Sequence, residues 1–435
     1  MDMPDAPDAP QGGFRASLAL VTNNRDFRRV YIASLISLGG DWFLTVALFS
    51  LVLKYNGSGI AVGLVIAVQD LAFFLASPLA GALADRLNRR SLMIVSDLAR
   101  AVLCLGFLFV RGADTVWITY AVVAALALFS AIFEPASAAA LPNLVEPDDL
   151  GTANALTGSA WGTMLVVGAG LGGLVAGKFG TTTAIVVDAM SFAASALLVI
   201  TVHRSFAEAG TRTREHPGII EATRETARYA RRDHRVLALV AVKFGWGLAG
   251  GVLVLIPLLV KRSFHGGDVA LGVLMAFRGL GALIGPFAAR RALGTEDRRL
   301  FLAIGIALAV FGIGYALVGL VPSLLLAMPA IALAHVGGGA QWMLSSYGLQ
   351  KIVPDAIRGR IFAFDGMLVT LTFGISSLAT GWLADTIGSR ETAWLLGAIA
   401  VIWAGVWLWL TTDVRRATLA DGCLPATQEV SDPAR

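Results

Sequence analysis

The chain has 435 residues, of which 56% are hydrophobic and only 15% are charged. A water-soluble domain typically has about 25% charged residues, so this composition, with a mean hydropathy of +0.73 and a formal net charge of +4, excludes an ordinary soluble protein. The apolar runs are long and continuous, which also excludes a β-barrel, whose strands are short and alternate between polar and apolar residues.

Twelve membrane-spanning helices are predicted in chain order. Each is an apolar run long enough to cross roughly 30 Å of hydrocarbon as a helix. A helix satisfies its own backbone hydrogen bonds, which lipid cannot do. The predicted fold class is therefore an all-α membrane protein. The predicted spans are residues 29–53, 59–81, 91–110, 115–138, 153–177, 182–202, 236–260, 269–289, 300–320, 323–347, 361–383 and 392–411.

The basic residues predict how the helices are oriented. Lys and Arg concentrate in cytoplasmic loops. With the N-terminus in the cytoplasm, 24 of them fall on the cytoplasmic side and 6 fall outside. We therefore expect a protein of the cell membrane with both termini in the cytoplasm. Its sequence pI near 9.3 then reflects contact with anionic lipids of the inner leaflet, and nucleic-acid binding is not needed to explain it.

The longest polar interruption divides six spans from six. Its second part, IIEATRETARYARRDHR, has Arg224, Arg228, Arg231 and Arg235 on one helical face. We expect a basic amphipathic helix on the inner membrane surface, with a plain solvated linker helix as the alternative.

Both ends of the chain are polar. The first residues, MDMPDAPDAPQGG, and the tail after Arg416 are predicted to be disordered. The predicted segments are a cytoplasmic tail at 1–27, a helical bundle at 28–202, the cytoplasmic linker at 203–235, a second bundle at 236–412 and a cytoplasmic tail at 413–435.

The two sets of six spans resemble each other. When the sequence is aligned with itself at an offset of 208 residues, a series of glycines and alanines in the first half matches glycines and alanines in the second half. The alignment needs no insertion or deletion. Two related six-helix bundles around a midplane cavity are a recurrent transporter architecture, and we predict two pseudo-symmetric bundles here. The matched residues are Gly151, Ala155, Gly158, Gly173, Ala176 and Gly180 against Gly359, Ala363, Gly366, Gly381, Ala384 and Gly388.

The loop between spans 2 and 3 reads GALADRLNRR, from Gly81 to Arg90. It resembles the signature of the major facilitator superfamily in this loop, roughly G-x-L-A-D-R-x-G-R-R. The resemblance implies the major facilitator fold, with twelve helices in two bundles. The departure is Asn88 in place of glycine, and asparagine tolerates a left-handed turn.

The resemblance also implies a gate on the cytoplasmic side. Asp85 can pair with cations or cap a neighbouring helix. The arginines of the motif can bind carboxylates or lipid phosphates where the two bundles meet. Two charged residues that follow on span 3 are expected to join this network. Positive-inside anchoring is the alternative, but it accounts only for the arginines. The predicted gate residues are Gly81, Asp85, Arg86, Arg89, Arg90, Asp97 and Arg100.

A narrower resemblance is to the branch with macrolide-efflux and enterobactin-exporter proteins, the transmembrane secretion effectors. It is carried by GDWFLTVAL in span 1, FEPASAAALPNLVEPDDLGTANAL across spans 4 and 5, VVDAMSF in span 6 and IVPDAIRGR in the second half. Exporters of the superfamily often have G-P-x-x-G-G in span 5, where this chain has GAGLGG. Gly168, Gly172 and Gly173 still permit close helix packing. Ala169 replaces the proline that would kink the helix, which leaves the direction of transport open.

Ionisable groups inside the spans are costly and by default indicate function. Asp41 lies in the middle of span 1 on its polar face, without a basic partner on its own helix. It is the expected principal proton-binding group, and Arg278 of span 8 or a cationic substrate is expected to compete with the proton. Asp70 and Glu134 are the rival proton carriers, although Glu134 can equally be a structural partner for hydroxyl groups.

Other polar residues in the spans have less specific interpretations. Asp188 is either a functional group or a structural hydrogen-bond partner. Lys243 and Asp365 lie near the predicted interface and are expected to be structural, with the lysine extending towards the headgroups.

The sequence therefore predicts a proton-coupled secondary exporter of amphipathic small molecules, acting as a monomer by alternating access. An importer or lipid-moving transporter on the same fold and a non-transporting scaffold or sensor are the alternatives, and the intramembrane charges argue against the last. We find no P-loop and no cluster with metal-ligand spacing. No enzymatic activity, metal or cofactor is expected, and the proton gradient is the expected energy source.

Overall fold

The computed structural model describes residues 14–204, 206, 219–293 and 299–421. The helices in these residues are numbered in chain order. They are α1 (Phe14–Asn23), α2 (Arg25–Tyr55), α3 (Gly59–Arg86), α4 (Arg89–Cys104), α5 (Trp117–Leu144), α6 (Leu150–Phe179), α7 (Thr181–Ile200), α8 (Ile219–Arg232), α9 (His234–Leu248), α10 (Val252–Leu258), α11 (Asp268–Leu293), α12 (Leu300–Leu320), α13 (Leu324–Ile352), α14 (Asp355–Thr386), α15 (Ser389–Leu410) and α16 (Thr412–Asp421).

Twelve segments of the described chain are long and apolar enough to cross a membrane, which confirms the predicted all-α membrane fold. The predicted disorder of residues 1–13 and 422–435 lies outside the described residues. The predicted disorder directly after Arg416 is wrong for the residues up to Asp421, because α16 continues to that point.

Short polar residues start several of these helices by accepting hydrogen bonds from free backbone N–H groups. Ser58 accepts from the N–H groups of Ile60 and Ala61 at the start of α3. Asn88 accepts from Ser91 N at 3.1 Å and starts α4. The backbone of Asn88 has φ −66°, so the left-handed turn that asparagine tolerates does not occur at this position. The asparagine here caps a helix instead of replacing a flexible glycine.

The helices form the two predicted bundles, α2 to α7 and α9 to α15. The bundles meet along two helix pairs, α3 with α14 and α6 with α11. Gly173 of α6 and Gly272 of α11 face each other so closely that a Cβ on either would collide with the other's backbone. Gly168 and Gly172 pack instead against the backbone of α2 in their own bundle. These three glycines therefore let α6 approach two helices at once.

The seventh span is broken between α9 and α10. Backbone groups freed by such a break must be satisfied by neighbouring side chains in lipid. Ser376 of α14 does this twice, because it accepts from Gly251 N at 3.0 Å and donates to Leu248 O at 2.5 Å. The break is thus fixed to α14, a helix of the bundle interface.

The linker helix α8 packs against α9 and α14. Its arginines at 224, 228 and 231 are exposed, whereas Thr226 and Ala230 are buried. The predicted helical face does not extend to Arg235, because Asp233 ends α8 and caps α9. Partial burial opposes ionisation of Asp233, but the hydrogen bonds from Arg235 outweigh it and hold the pKa of Asp233 below its ordinary value.

Candidate functional site

The two bundles are joined at one face of the molecule, here called the latch face, where α3 begins and α14 ends. Asp385 accepts hydrogen bonds from Gly59 N at 2.8 Å, Ile60 N at 3.1 Å and Ser58 Oγ at 2.9 Å. It also pairs with Arg262 Nη2 at 2.6 Å. A carboxylate of the second bundle therefore binds the N-terminus of α3, where the helix dipole favours a negative charge.

Further bonds reinforce the latch face. Arg262 also donates to Gly57 O at 2.8 Å, and Lys261 donates to Leu53 O at 2.7 Å. Ser50 of α2 donates to Asp268 of α11 at 2.5 Å. Each of these bonds crosses between the bundles, so opening this face requires all of them to break.

The bundles diverge at the opposite face, here called the linker face because α8 lies there. Along α6, Gly162 is in contact with Leu283 of α11, whereas no described residue of another helix comes within 4 Å of a Cβ built at Gly158 or Gly151. The same holds for Gly81 at the end of α3. The space between the bundles is therefore closed at the latch face and open at the linker face.

A buried arginine organises the charged residues of the first bundle. Arg100 is 1% exposed, and its guanidinium forms an ion pair with Asp97. Its other partners are Ser37 Oγ at 2.8 Å and Ser130 Oγ at 3.3 Å. The ring of Phe192 lies 4.4 Å from its guanidinium carbon. A buried charge is tolerated when it is paired and hydrogen-bonded in this way.

Asp41 is the accessible member of this cluster. Its Oδ2 lies 3.5 Å from Arg100 Nη1, and its side chain is 41% exposed, compared with 0% for Asp97. Glu134 of α5 is also exposed and interacts electrostatically with both Asp41 and Arg100. The basic partner of Asp41 thus comes from α4, whereas the sequence pointed only to Arg278 or the substrate.

Asp97 and Arg100 do not share the contacts of the loop motif GALADRLNRR, with which the sequence grouped them. They face the interior of the first bundle. The motif residue Arg89 donates to Ala139 O at 2.8 Å and to Phe206 O at 3.0 Å, and Arg90 donates to the carbonyl of Ile200. The reason is helical geometry: Asp97 and Arg100 lie two or more turns beyond the start of α4, on the face that packs against the bundle.

The remaining motif residues have simpler surroundings. Arg86 is exposed at the end of α3. The side chain of Asp85 lies outside the described residues, so its predicted pairing stays a prediction. Arg89 and Arg90 bind carbonyl groups of the first bundle and of the start of the linker, which agrees with separated bundles at this face.

Arg278 of α11 is a second buried arginine, and it takes no part in the ion pairs of the Arg100 cluster. It is 6% exposed, and its guanidinium carbon lies 5.2 Å from the ring of Trp42 and 5.7 Å from the ring of Trp161. These two indoles belong to the first bundle and Arg278 to the second. The arginine therefore stands at the bundle interface.

The second bundle has a buried ion pair of its own. Lys243 of α9 pairs with Asp365 of α14, and their side chains are 1% and 4% exposed. Lys243 also donates to Ser346 Oγ at 3.0 Å and lies 4.6 Å from the ring centroid of Trp342. The expectation that Lys243 extends towards the headgroups is wrong, because its carboxylate partner lies inside the bundle.

Asp70 lies apart from Arg100, whereas Asp188 interacts electrostatically with both Arg100 and Asp41. Asp70 is half-buried in α3, beside Gly374 of α14. Asp188 is buried and accepts from Ser191 Oγ at 3.3 Å and from the Cys104 thiol at 3.3 Å. The hydrogen bonds of Asp188 fit the structural alternative for this residue.

A separate cavity of about 810 Å³ lies at the linker face, among the ends of α1, α2 and α7. Four of its charged residues bind one another, in the pair Arg204–Glu146 at 2.6 Å and the pair Arg29–Asp26 at 3.3 Å. Because these four charges are paired, we place the candidate substrate site between the bundles instead.

The latch is the feature that the sequence reasoning missed. A signal for it exists, because GWLADTIGSR, from Gly381 to Arg390, repeats the G-x-L-A-D core of GALADRLNRR at the end of another interface helix. The Asp of the repeated core is Asp385. The two loops lie at opposite faces of the molecule.

Comparison with known proteins places this geometry in a family. The model of the transmembrane secretion effector family matches residues 16–428. The multidrug efflux pump Tap of Mycolicibacterium fortuitum is 26% identical over 395 residues, which are 86% of this chain and 94% of that protein. The macrolide efflux protein A of Streptococcus pyogenes is 22% identical over 387 residues, with 86% and 93% coverage. The matched proteins are transporters and not enzymes.

Solved structures share the fold. A POT family transporter in complex with 5-aminolevulinic acid has a TM-score of 0.76 at 11% identity, over 93% of this chain and 98% of that chain. A bacterial homologue of the human lysosomal transporter Spinster, inward-facing and unoccupied, has a TM-score of 0.70 at 14% identity, over 95% and 100%. The likeness confirms the predicted major facilitator fold, and at these identities it shows the fold alone.

Proposed function

The chain belongs to the transmembrane secretion effector family, and from this premise we propose that it is a proton-coupled exporter of amphipathic small molecules. It works as a monomer in the cell membrane, with both termini in the cytoplasm. The single observation that carries the proposal is the Arg100 cluster, in which one carboxylate, that of Asp41, is accessible while it pairs with a buried arginine. The efflux pumps among its relatives support the outward direction.

Alternating access follows from the two faces. In the described state the bundles are latched at one face and separated at the other. If the linker face is cytoplasmic, substrate enters from the cytoplasm, and rocking of the bundles exposes it on the outside. Proton binding neutralises Asp41, whereas a bound substrate favours a different charge state of the same site. Substrate transport is thereby coupled to proton transport.

Transport in vesicles tests this function. A pump-deficient bacterial host expressing the protein is first screened with a panel of lipophilic drugs for resistance and reduced accumulation. Inverted vesicles from that host are then assayed with the selected drug, with and without an acidic interior. We expect drug uptake that depends on the pH gradient and collapses when a protonophore dissipates it.

The alternatives give different outcomes. Uptake confined to right-side-out vesicles would indicate an importer, which the absence of the span-5 proline leaves open. Uptake of a lysophospholipid in place of every drug would indicate a lipid-moving transporter. If neither vesicle orientation transports any compound, the scaffold or sensor alternative is favoured.

The cytoplasmic motif gives a prediction of its own. Asp85→Asn and Arg89→Ala are each expected to leave the protein in the membrane but reduce transport at least tenfold. Arg89 links the loop after α3 to the end of α5 and to Phe206, so its loss frees the segment that must close the linker face. Uptake by inverted vesicles at matched expression measures the effect. Arg111→Ala, in the loop after span 3, is the control, and equal transport by motif variants and wild type would refute the gate.

The linker helix gives a second prediction, about anionic lipids. Phosphatidylglycerol is expected to stabilise the purified protein against heat more than phosphatidylcholine does. The triple variant Arg224→Gln, Arg228→Gln, Arg231→Gln should lose most of this difference, because each exposed arginine contributes on the order of 1 kcal/mol at an anionic surface. Arg111→Gln, in a loop distant from α8, should keep it. An unchanged lipid difference in the triple variant would mean that α8 is a solvated linker.

A further inference from the structure

Arg278 stands out among the buried cations of the described chain. Arg100 and Lys243 each have a carboxylate partner, but no described carboxylate oxygen lies within 4.0 Å of Arg278. Its Nε and Nη1 are buried and have no hydrogen-bond partner. The guanidinium contacts the indoles of Trp42 and Trp161 instead.

An arginine in this environment is costly to the folded protein. A guanidinium stays protonated, so it cannot lose its charge on burial as a lysine can. Stacking on two indoles offsets part of the loss of water, but it leaves the N–H donors unused. A buried donor without a partner destabilises the protein unless some group binds it.

The position of these donors shows where that group must come from. Arg278 belongs to the second bundle and both indoles belong to the first, so the three side chains meet across the interface. Trp161 is 44% exposed, and Asp41, the chain neighbour of Trp42, has a side chain that is 41% exposed. A molecule between the bundles can therefore approach the exposed indole of Trp161, against which the guanidinium of Arg278 lies.

We propose that Arg278 binds an oxyanion, in the first place a carboxylate, on the transported molecule, while Trp42 and Trp161 pack against its apolar body. The planar guanidinium matches the two oxygens of a carboxylate. The inference rests on the proposed function, and it names the substrate class as amphipathic acids or zwitterions. A zwitterion places its cationic group towards Asp41 and its acid towards Arg278.

Ligand binding to the purified full-length protein tests this site without transport. Melting temperatures are measured in a neutral detergent at constant ionic strength. The ligands are benzoate, 2-naphthoate and anthracene-9-carboxylate, each beside its primary amide. We expect the larger carboxylates to stabilise the protein saturably and the neutral amides to do so much less. Arg278→Gln should weaken carboxylate binding roughly ten- to a hundredfold, because a charge-assisted hydrogen-bond pair is lost, and weaken amide binding by a much smaller factor.

Controls separate the site from general charge effects. Arg290→Gln removes an exposed cation from the same helix and should bind carboxylates as the wild type does. Arg278→Lys keeps the charge but not the planar fork, so it should bind with intermediate affinity. The carboxylate–amide comparison in the wild type also tests the proposal if Arg278→Gln does not fold.

Several results would overturn the assignment. They are equal stabilisation by acids and amides, equal carboxylate binding by wild type and Arg278→Gln, and no stabilisation by any carboxylate. A parallel experiment compares the melting temperature in lysophosphatidylglycerol with that in lysophosphatidylcholine. Stabilisation by lysophosphatidylglycerol alone, without stabilisation by the carboxylates, would assign Arg278 to lipid headgroups. Binding without transport in the vesicle assay would reject the proposed function and leave the anion site in place.

Discussion

Asp41→Asn is expected to abolish concentrative, pH-driven transport while the protein still folds and still exchanges substrate down a gradient. The reason lies in how Arg100 is paired. Its ion pair with Asp97 is sealed inside the bundle, whereas Asp41 lies 3.5 Å away and is partly exposed. Protonation of Asp41 therefore leaves Arg100 neutralised by Asp97. Asparagine fixes Asp41 in its neutral state, so no proton can bind or leave there.

The measurement is drug uptake into inverted vesicles over a series of imposed pH gradients. Wild-type uptake should rise with the gradient, and the uptake of Asp41→Asn should stay at the equilibrium level at every pH. Counterflow exchange of preloaded drug, which needs no proton, should persist in the variant. This split separates a coupling residue from one that only maintains the fold.

Asp97→Asn provides the contrast within the same cluster. Its loss leaves the buried Arg100 with only the partly exposed Asp41, 3.5 Å away, as an ionised partner. Removal of one member of a buried pair costs about 3–5 kcal/mol in other proteins. We expect poor folding and low membrane levels for this variant, and normal levels for Asp41→Asn. Asp70→Asn and Glu134→Gln test the rival carriers in parallel. If Asp41→Asn still concentrates drug with an unchanged pH dependence, the proton site lies elsewhere.

The parts of this fold that the sequence predicted are those governed by local composition. An apolar run of about twenty residues has to be a helix in lipid, so the twelve spans follow without knowledge of their neighbours. The caps follow in the same way, because Ser58 and Asn88 act on N–H groups two or three residues away. Asn88 also shows the limit of such local prediction. Asparagine at a position where the family has glycine is compatible with a left-handed backbone and with an extended one, and its role as the cap of α4 requires the extended one.

The pairing of charges across helices could not be predicted in this way. Lys243 and Asp365 are 122 residues apart, and the sequence gives neither the rotation of α9 nor that of α14 about its axis. Arg100 was grouped with the nearby loop because it is close in sequence, while its partner Asp41 is on another helix. Which buried carboxylate has a partner depends on packing between helices, and periodicity within one helix does not contain that information.

The latch was predictable in principle but only by comparing distant loops. Gly381 to Arg390 keeps the G-x-L-A-D core of the loop after α3, yet its flanking residues differ. The repeated core places Asp385 at the end of α14, as Asp85 is placed at the end of α3. What the sequence cannot supply is that Asp385 reaches across the interface to another helix's N-terminus.

Asp385→Asn is expected to shift the protein from the described state towards one that opens at the latch face. The carboxylate accepts three hydrogen bonds from the start of α3 and one from Arg262. Asparagine keeps the size of the side chain but removes its charge, and the NH₂ group cannot accept. Hydrogen bonds to charged groups contribute about 1.5–3 kcal/mol, so the ratio of the two states should change roughly ten- to a hundredfold.

Distances between spin labels measure this shift. One pair, at Asn56 and Ile387, spans the latch face, and the other, at Leu79 and Phe287, spans the linker face. All four residues are exposed. Cys423→Ser removes the tail thiol, and Cys104 is buried and out of reach of the label. In Asp385→Asn the latch-face distance should lengthen and the linker-face distance should shorten in the same molecules, because the bundles rock as rigid bodies.

The control must remove an equal charge from the same loop without touching α3. Glu391→Gln does so, because Glu391 lies in the first turn of α15 and has no part in the bonds to Asp385 described above. Its two distance distributions should match those of the wild type. If Asp385→Asn lengthens the latch-face distance while the linker-face distance stays the same, the helix ends at the latch face have unwound locally and the bundles have not moved as rigid bodies. If neither distance changes, the remaining bonds of Arg262, Lys261 and Asp268 hold the face closed and the carboxylate is not the latch.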